Sequence, residues 1–212
     1  MALSALATGS SGTAPWLRGV VRALDLPVPE IGADGRLIEL AAGPASARTS
    51  VAAQILLAAQ REGDLVAWVE GVGSTAFPPD LARAGLDLDA LLFVRLRDEA
   101  GPAARPKAAE ILMRTGAFGA IALDVSDVRL PRGQAWLGRL GTLARDRECR
   151  CVLLSGESES SLGSMVATRA RVSRRRVRAG RFALETEALK HRSPEPLRFP
   201  GPRAWIGPEG LP

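Results

Sequence analysis

The sequence is poor in the side chains on which much enzyme chemistry depends. Its 212 residues include one histidine, two cysteines and no tyrosine. His191 lies in a polar segment flanked by proline, so it offers little to a catalytic triad or a metal cluster. Cys149 and Cys151 fall on one strand candidate, where two small buried side chains are the preferred interpretation. We therefore expect no metal centre and no histidine- or cysteine-based catalysis.

Long apolar runs are also missing. No stretch approaches the roughly 18 apolar residues that a membrane span needs. The N-terminus has no basic region before its short apolar segment, so it lacks the layout of a secretory signal. We therefore expect a cytoplasmic protein with no membrane partner.

Lysine is scarce, yet positive charge is not. The chain has 26 arginines against two lysines, and its formal net charge is +5. A positive field raises the rate of encounter with polyanions, so an acidic or nucleic-acid partner is compatible with this charge. The charge does not require such a partner.

The middle of the chain alternates strand-like and helix-like segments, which predicts an α/β fold. Apolar strand candidates at 36–42, 65–71, 90–96, 120–126 and 149–156 are separated by helical patterns at 48–63, 79–86, 106–116 and 133–148. Strands that are apolar throughout favour a mainly parallel sheet flanked by helices on both faces. Residues 167–192 instead predict a C-terminal antiparallel hairpin on the sheet edge, turning at Ala179 and Gly180.

The two ends of the chain differ from this core domain at 36–192. Residues 1–14 are predicted to be disordered, and residues 15–35 to form a short helix and a linker. Residues 193–212 hold six prolines and three glycines, which predicts a tail without a packed element. Trp16 and Trp205 lie in these flanking segments, where they either pack locally or anchor a partner protein.

The stretch GPASARTS, residues 43–50, has the setting of a phosphate-binding loop without its key side chains. Such a loop needs G-x-x-x-x-G-K-[ST] between a strand and a helix, because the backbone wraps the phosphates and the lysine reaches them. With Gly43 first, Arg48 replaces the second glycine, Thr49 replaces the lysine and Ser50 keeps the Mg²⁺-binding hydroxyl. A lost nucleotide site is preferred over weak binding without turnover, and over true ATPase activity.

An acidic residue at the end of a buried strand forms the other half of such a site. Asp124 has this position; it either holds a Mg²⁺-bound water or caps the next turn, and the pattern favours neither. Asp127 is expected to face solvent.

Residues 169–181 carry a run of arginines. On a strand, Arg169, Arg171 and Arg175 face one way while Arg174, Arg176 and Arg178 face the other, so only one row can line a given surface. Protection of an edge strand, docking of an acidic protein and DNA binding all remain open. The candidate partner contacts are thus Trp16, Arg169, Arg171, Arg175, Arg178 and Trp205.

The order of these segments resembles that of the bacterial recombinase RecA over residues 36–192. The match lies in IELAAGPASARTSVAAQILLAAQREG, ARAGLDLDALLF and MRTGAFGAIALDVS, which resemble its phosphate loop and helix, the approach to its third core strand, and its Mg²⁺-linked aspartate strand. Where RecA has a catalytic glutamate after its second core strand, this sequence has Glu70, Gly71 and Val72. The two DNA-binding loops of RecA are shortened here to SDVRLPRG and the acidic ESESSLGS.

A short RecA-like chain with these losses resembles ImuA, the accessory protein of bacterial mutagenic repair cassettes. The resemblance implies a non-catalytic role in the SOS response and translesion synthesis. It also implies contacts with RecA, with the polymerase-like protein ImuB and, indirectly, with an error-prone DNA polymerase. No cofactor is implied, although ATP and Mg²⁺ binding through Ser50 and Asp124 is the alternative, as is a DNA-binding module built on the arginine-rich hairpin.

Overall fold

A computed structural model describes residues 36–43, 45–74, 76–127, 135–156, 162–178, 181–192 and 204–206. The helices are α1 (Arg48–Arg61), α2 (Pro78–Arg83), α3 (Ala104–Thr115) and α4 (Ala135–Asp146). The strands are β1 (Leu37–Ala42), β2 (Leu65–Gly71), β3 (Leu91–Leu96), β4 (Phe118–Asp124), β5 (Arg150–Ser155), β6 (Thr168–Arg178), β7 (Arg181–His191) and β8 (Ala204–Ile206). The predicted helix at 16–26, with Trp16, lies outside the described residues.

These strands form one sheet in the order β3-β2-β4-β5-β1-β6-β7-β8. The strands from β3 to β6 in this order pair in parallel, whereas β7 runs antiparallel to β6 and β8 antiparallel to β7. The predicted mainly parallel α/β sheet with a C-terminal antiparallel hairpin is confirmed. β6 ends at Arg178 and β7 begins at Arg181, and the predicted turn residues Ala179 and Gly180 lie outside the described residues.

Two apolar layers lie on opposite faces of the sheet. One layer joins α1 and α2 to alternate strand residues and contains Trp68 and Leu56. The other joins α3 and α4 to the remaining strand residues and contains Leu123 and Leu140. Because both faces are covered, the central strands are buried along almost their whole length, which is why their sequences are continuously apolar.

A glycine lies at or just after the end of two helices. Gly63, with φ +96, lies just after α1, in the left-handed region that glycine adopts without steric cost. Gly116, with φ +69, caps α3 in the same way. Because α1, α3 and α4 each follow a strand of the parallel sheet, their amino ends lie near the carboxyl ends of these strands, at the edge where the candidate site lies.

One expectation about the tail is wrong. Residues 204–206 form β8, which pairs with the first residues of β7 and so becomes the last strand of the sheet. A three-residue strand has no periodicity of its own; it exists because β7 offers unpaired backbone groups. No helix in the described part of the chain is long and apolar enough to cross a membrane.

Candidate functional site

The connection between β1 and α1 is held against β6. The backbone amide of Ala47 donates to the carbonyl of Val172 at 3.3 Å, and that of Arg174 donates to the carbonyl of Ala45 at 3.0 Å. Between these hydrogen bonds, Ser46 forms an isolated antiparallel bridge with β6. The connection is thus a short additional pairing on β6, and its Ala47 N–H points at a strand.

Two backbone positions allow this close approach. A Cβ on Gly43 would lie 3.0 Å from Cγ of Arg171, closer than ordinary packing allows. Ala45 has φ +48, in the left-handed region that residues other than glycine rarely adopt. That conformation costs about 1 to 2 kcal/mol, which the hydrogen bonds to β6 help to offset.

Arg48 lies in the first turn of α1, and its side chain extends across the β1–α1 connection to the end of β5. Its Nε donates to Oγ of Ser46 at 3.1 Å. Its Nη1 donates to the backbone carbonyl of Ser155, at the end of β5. Thr49 and Ser50 follow in the same turn and are half-buried. The residue that replaces the second glycine therefore ties the β1–α1 connection to the neighbouring strand.

Asp124 ends β4 at the same edge of the sheet. Its Oδ1 accepts hydrogen bonds from the backbone amide of Ser126 at 2.9 Å and from the Ser126 hydroxyl at 2.6 Å. Of the two predicted roles, capping the following turn is the one that this geometry supports. The carboxylate is largely buried, so these two donors satisfy an acceptor that would otherwise be desolvated at a cost.

The residues at this edge fit a Mg²⁺-nucleotide poorly. A bound phosphate needs free backbone N–H groups and a lysine, whereas the Ala47 N–H is bonded to β6 and Arg48 is bonded to Ser155. Oδ1 of Asp124 already accepts two hydrogen bonds from Ser126, so only the other oxygen of this carboxylate is left for a metal-bound water. Val72, at the position of the catalytic glutamate, is exposed and carries no acid–base group.

Arg105 of α3 is buried beside the end of β2 and is bonded to the end of β4. Its Nη1 donates to the backbone carbonyl of Asp124 at 3.0 Å. Its guanidinium also forms a bidentate pair with Asp127, in which Nη1 reaches Oδ1 and Nη2 reaches Oδ2. A Cβ on Gly71 would overlap this guanidinium, so the absence of a side chain at residue 71 leaves the space that the guanidinium occupies. Asp127 faces solvent in part, as predicted, but it is also the partner of a buried cation.

The Arg105 side chain lowers the pKa of Asp127. The hydrogen bond from Arg105 holds the pKa of the Asp127 carboxyl below its usual value of 3.8, although partial burial opposes this shift. The two groups therefore remain a charged pair over the physiological pH range.

Glu70 is a fully buried carboxylate near the end of β2. Oε1 accepts from Nε and Nη2 of Arg95 at 2.9 and 2.7 Å, and Oε2 accepts from the indole N–H of Trp68 at 3.2 Å. Burial raises the pKa of Glu70, and the pair with Arg95 opposes the rise. Arg95 also donates to the carbonyl of Ala76 at 3.2 Å, so the pair fixes the segment that leads into α2.

A second buried carboxylate, Glu39, lies on β1. Its Oε1 accepts from the hydroxyl of Ser155 at 2.8 Å, and its Oε2 accepts from the backbone amide of Leu162 at 3.1 Å. Arg169 of β6 forms an ion pair with it, with Nε 3.2 Å from Oε1. Because the Arg169 side chain is only 9% exposed, it cannot contribute to an external binding row.

The rest of the arginine row is neutralised across the hairpin. Arg171 pairs with Glu187 at 2.7 Å, and Arg175 pairs with Glu185 at 2.6 Å. On the opposite face, Arg174 stacks over the ring of Phe182. Arg178 is opposite Arg181 at the end of the hairpin. Trp205 lies on β8, and the side chains of Arg178 and Trp205 are outside the described residues.

The alternation of arginine side chains predicted for β6 is therefore observed. The role of edge protection, however, does not fit the position of this strand. β6 is not an edge strand, because β7 and β8 lie beyond it, so its arginines do not protect a sheet edge.

Both cysteines are free and buried, and burial raises the pKa of the Cys149 thiol to about 12. In the described residues, no three histidine, cysteine or acidic side chains cluster as metal ligands.

Sequence reasoning missed the buried charges at Glu39 and Arg105. For Arg105 a signal existed, since it shares a helical stripe with Ala109 and Met113, and all three are buried in α3. For Glu39 the signal was weaker: an acid between apolar residues in a strand that is buried on both faces.

The chain is similar to RecA proteins over about half its length. Protein RecA of Salinispora tropica is 36% identical over 101 residues, which cover 47% of this chain and 28% of that protein. For Protein RecA of Rubrobacter xylanophilus the identity is 33% over 114 residues, 53% of this chain and 32% of that protein. A Nocardioides RecA is 34% identical over 101 residues, 27% of its length. No family model matches the chain.

These matches and the sheet support a RecA-like α/β fold. The matched segment spans less than a third of each RecA protein. The similarity therefore bears on the core domain, and the activity and partners of a whole recombinase do not follow from it.

Proposed function

We propose that this chain is a non-catalytic, RecA-like accessory protein of DNA repair. In this proposal it acts in SOS-induced translesion synthesis through contacts with RecA and with the polymerase-like protein ImuB. The similarity to RecA proteins supports the link to DNA repair. The accessory role, the SOS context and the ImuB partnership are the finer parts of the proposal.

The observation that carries the non-catalytic role is the position of Arg48. Its guanidinium joins Ser46 to the Ser155 carbonyl, across the connection in which a phosphate would have to sit. A nucleotide would have to displace these hydrogen bonds without a lysine to compensate. The loss of an acid at Val72 removes the group that would activate a water, so binding and hydrolysis are disfavoured for separate reasons.

Nucleotide titration tests this part of the proposal. A fluorescent ATP analogue with Mg²⁺ should show no saturable binding at micromolar concentration, and phosphate release should equal the background with or without single-stranded DNA. Micromolar binding without turnover would favour the alternative of a weak ATP-binding protein. Binding together with turnover would overturn the non-catalytic role.

The partner proposal has its own test. The purified full chain should retain RecA, ImuB or both in a pulldown with purified proteins, with serum albumin as the negative control. If neither is retained at low ionic strength, the accessory role fails even if the nucleotide result stands.

A further inference from the structure

One surface formed by α3 and α4 carries three cations around a single carboxylate. Glu110 of α3 lies 3.4 Å from Lys107 Nζ, 2.8 Å from Arg114 Nη2 and 3.4 Å from Arg139 Nε. The Glu110 side chain is 6% exposed, whereas the three cationic side chains are 55% to 61% exposed. The cluster is thus anchored on a buried acid and open to solvent on its cationic side.

Glu110 contributes one full negative charge to this cluster. The hydrogen bond from Arg114 is the largest cause that lowers its pKa, and Lys107 acts in the same direction against burial. One negative charge then faces three positive charges, and the surface keeps a net charge of about +2 near neutral pH.

The three cations have hydrogen-bonding capacity that Glu110 does not use. Lys107 and Arg139 each make one contact longer than 3.3 Å with Glu110, and within the described ranges none of the three cations pairs with another acid. Lysine offers three donors and arginine five, so most of these donors point to water. Because Glu110 already holds the three cationic side chains in place, they would lose less conformational entropy on binding an anion than side chains without such an anchor.

An exposed apolar side chain lies on α3 beside two of these cations. Ile111 is 53% exposed and lies on α3 one residue after Glu110. It is four residues from Lys107 and three from Arg114, spacings that place all three on one stripe of the helix. A phosphate backbone gains nothing from an exposed isoleucine, whereas a protein segment with an apolar side chain among acids gains from both features.

We propose that Lys107, Ile111, Arg114 and Arg139, named here the α3–α4 basic face, dock a partner-protein segment that carries clustered carboxylates beside an apolar side chain. The inference rests on the proposed accessory function and names the chemistry of the contact that such a function needs. Carboxylates of the partner would take up the unused donors, and its apolar side chain would cover Ile111.

The test measures binding of the full chain to a fluorescently labelled peptide in which pairs of glutamates alternate with pairs of leucines. Binding is followed by fluorescence anisotropy at low salt. The variant K107Q/E110Q/R114Q/R139Q removes the three cations and their anchor together, so no carboxylate is left buried without a partner. The control R61Q/R83Q makes the same change in net charge at exposed positions of α1 and α2. The first variant should weaken peptide binding by about tenfold or more, and the control by much less.

A second variant and two other probes separate the alternatives. I111A should weaken the peptide several-fold, and a peptide with glutamine in place of glutamate should not bind. Circular dichroism and thermal unfolding show whether each variant is folded. Equal binding by wild type and the four-residue variant, no peptide binding at all, or equal loss of single-stranded DNA and peptide binding would each overturn the inference.

The pulldown with RecA and ImuB distinguishes this failure from failure of the proposed function. If the folded four-residue variant still retains the same partner as wild type, the accessory role stands and the basic face is not its docking surface. If wild type retains no partner but binds the acidic peptide through this face, the surface stands and the proposed partners are wrong.

Discussion

Buried charged residues join the strand ends of this sheet. Arg105 joins α3 to the end of β4 and to Asp127, while the pair of Glu70 and Arg95 joins β2, β3 and the segment before α2. A buried charge without its partner is costly, so each of these groups depends on neighbours that leave it room and donors or acceptors. Single substitutions near them should therefore have large effects on stability.

The first prediction concerns Gly71. In Gly71→Ala the new Cβ would lie 2.6 Å from Cζ of Arg105 and would displace the guanidinium from its acceptors. We expect a loss of roughly 2 to 4 kcal/mol in the free energy of unfolding, measured by urea denaturation. Gly138→Ala in α4 is the control, because its Cβ meets only Met165 Cε at 4.0 Å and alanine favours a helix. Similar stabilities for the two variants would contradict this account of Arg105.

The second prediction concerns acid stability. Because the folded-state pKa of Asp127 lies below 3.8, its pair with Arg105 stabilises the fold above that pH and is lost as the pH falls through the folded-state value. Asp127→Asn should be less stable than wild type near neutral pH, and the difference should shrink below pH 3.8. Urea denaturation at a series of pH values measures this. A constant difference across the series would show that the pair does not cause it.

At the scale of elements, the β1–α1 connection belongs to the sheet as much as to the helix. Ala47 and Ala45 make hydrogen bonds to β6, and Arg48 makes one to β5. The connection thus touches strands on both sides of β1. Its conformation is set by these pairings, which explains how Ala45 is kept at φ +48.

Hydrogen exchange should detect this pairing. The amides of Ala47 and Arg174 should exchange slowly, as sheet amides do, because each donates to a backbone carbonyl across the pair. Removing the Arg48 link in Arg48→Ala should speed exchange at both amides by about tenfold. Arg61→Ala, at the exposed end of the same helix, is the control and should leave them unchanged. Fast exchange of both amides in wild type would contradict the pairing.

Much of this element pattern can be predicted from sequence, because continuous apolar strands and helical stripes follow from burial on both faces of a sheet. The stretches at 65–71 and 167–192 correspond closely to β2 and to the β6–β7 hairpin. β8 could not be predicted, since a three-residue strand depends on the edge it meets. The roles of Arg48 and Arg169 could not be predicted either, because a single sequence does not show which carboxylate or carbonyl an arginine reaches.

At the scale of the whole molecule, the sheet edge that holds the β1–α1 connection has the topology of a phosphate-binding site but lacks the side chains of the motif. β1, β4 and the start of α1 occupy the places expected for a phosphate loop and its acidic partner. Arg48 and Thr49 stand where a glycine and a lysine are needed, and Val72 stands where an acid is needed. If, as we propose, these side chains prevent nucleotide binding, two substitutions should create binding without hydrolysis.

The variant R48G/T49K tests this, because it changes residues 43–50 to G-x-x-x-x-G-K-S. Removing the Arg48 side chain frees the Ser155 carbonyl and the space beside the β1–α1 connection. The new lysine can then reach a phosphate bound there. We expect saturable binding of a fluorescent ATP analogue with Mg²⁺, at least tenfold tighter than wild type, and no phosphate release, since Val72 remains. R48G alone is the control and should bind weakly, for want of the lysine. If the double variant is folded and binds no better than wild type, residues 48 and 49 do not by themselves explain the proposed lack of nucleotide binding, and the backbone pairing of Ala45 and Ala47 with β6 is the remaining cause.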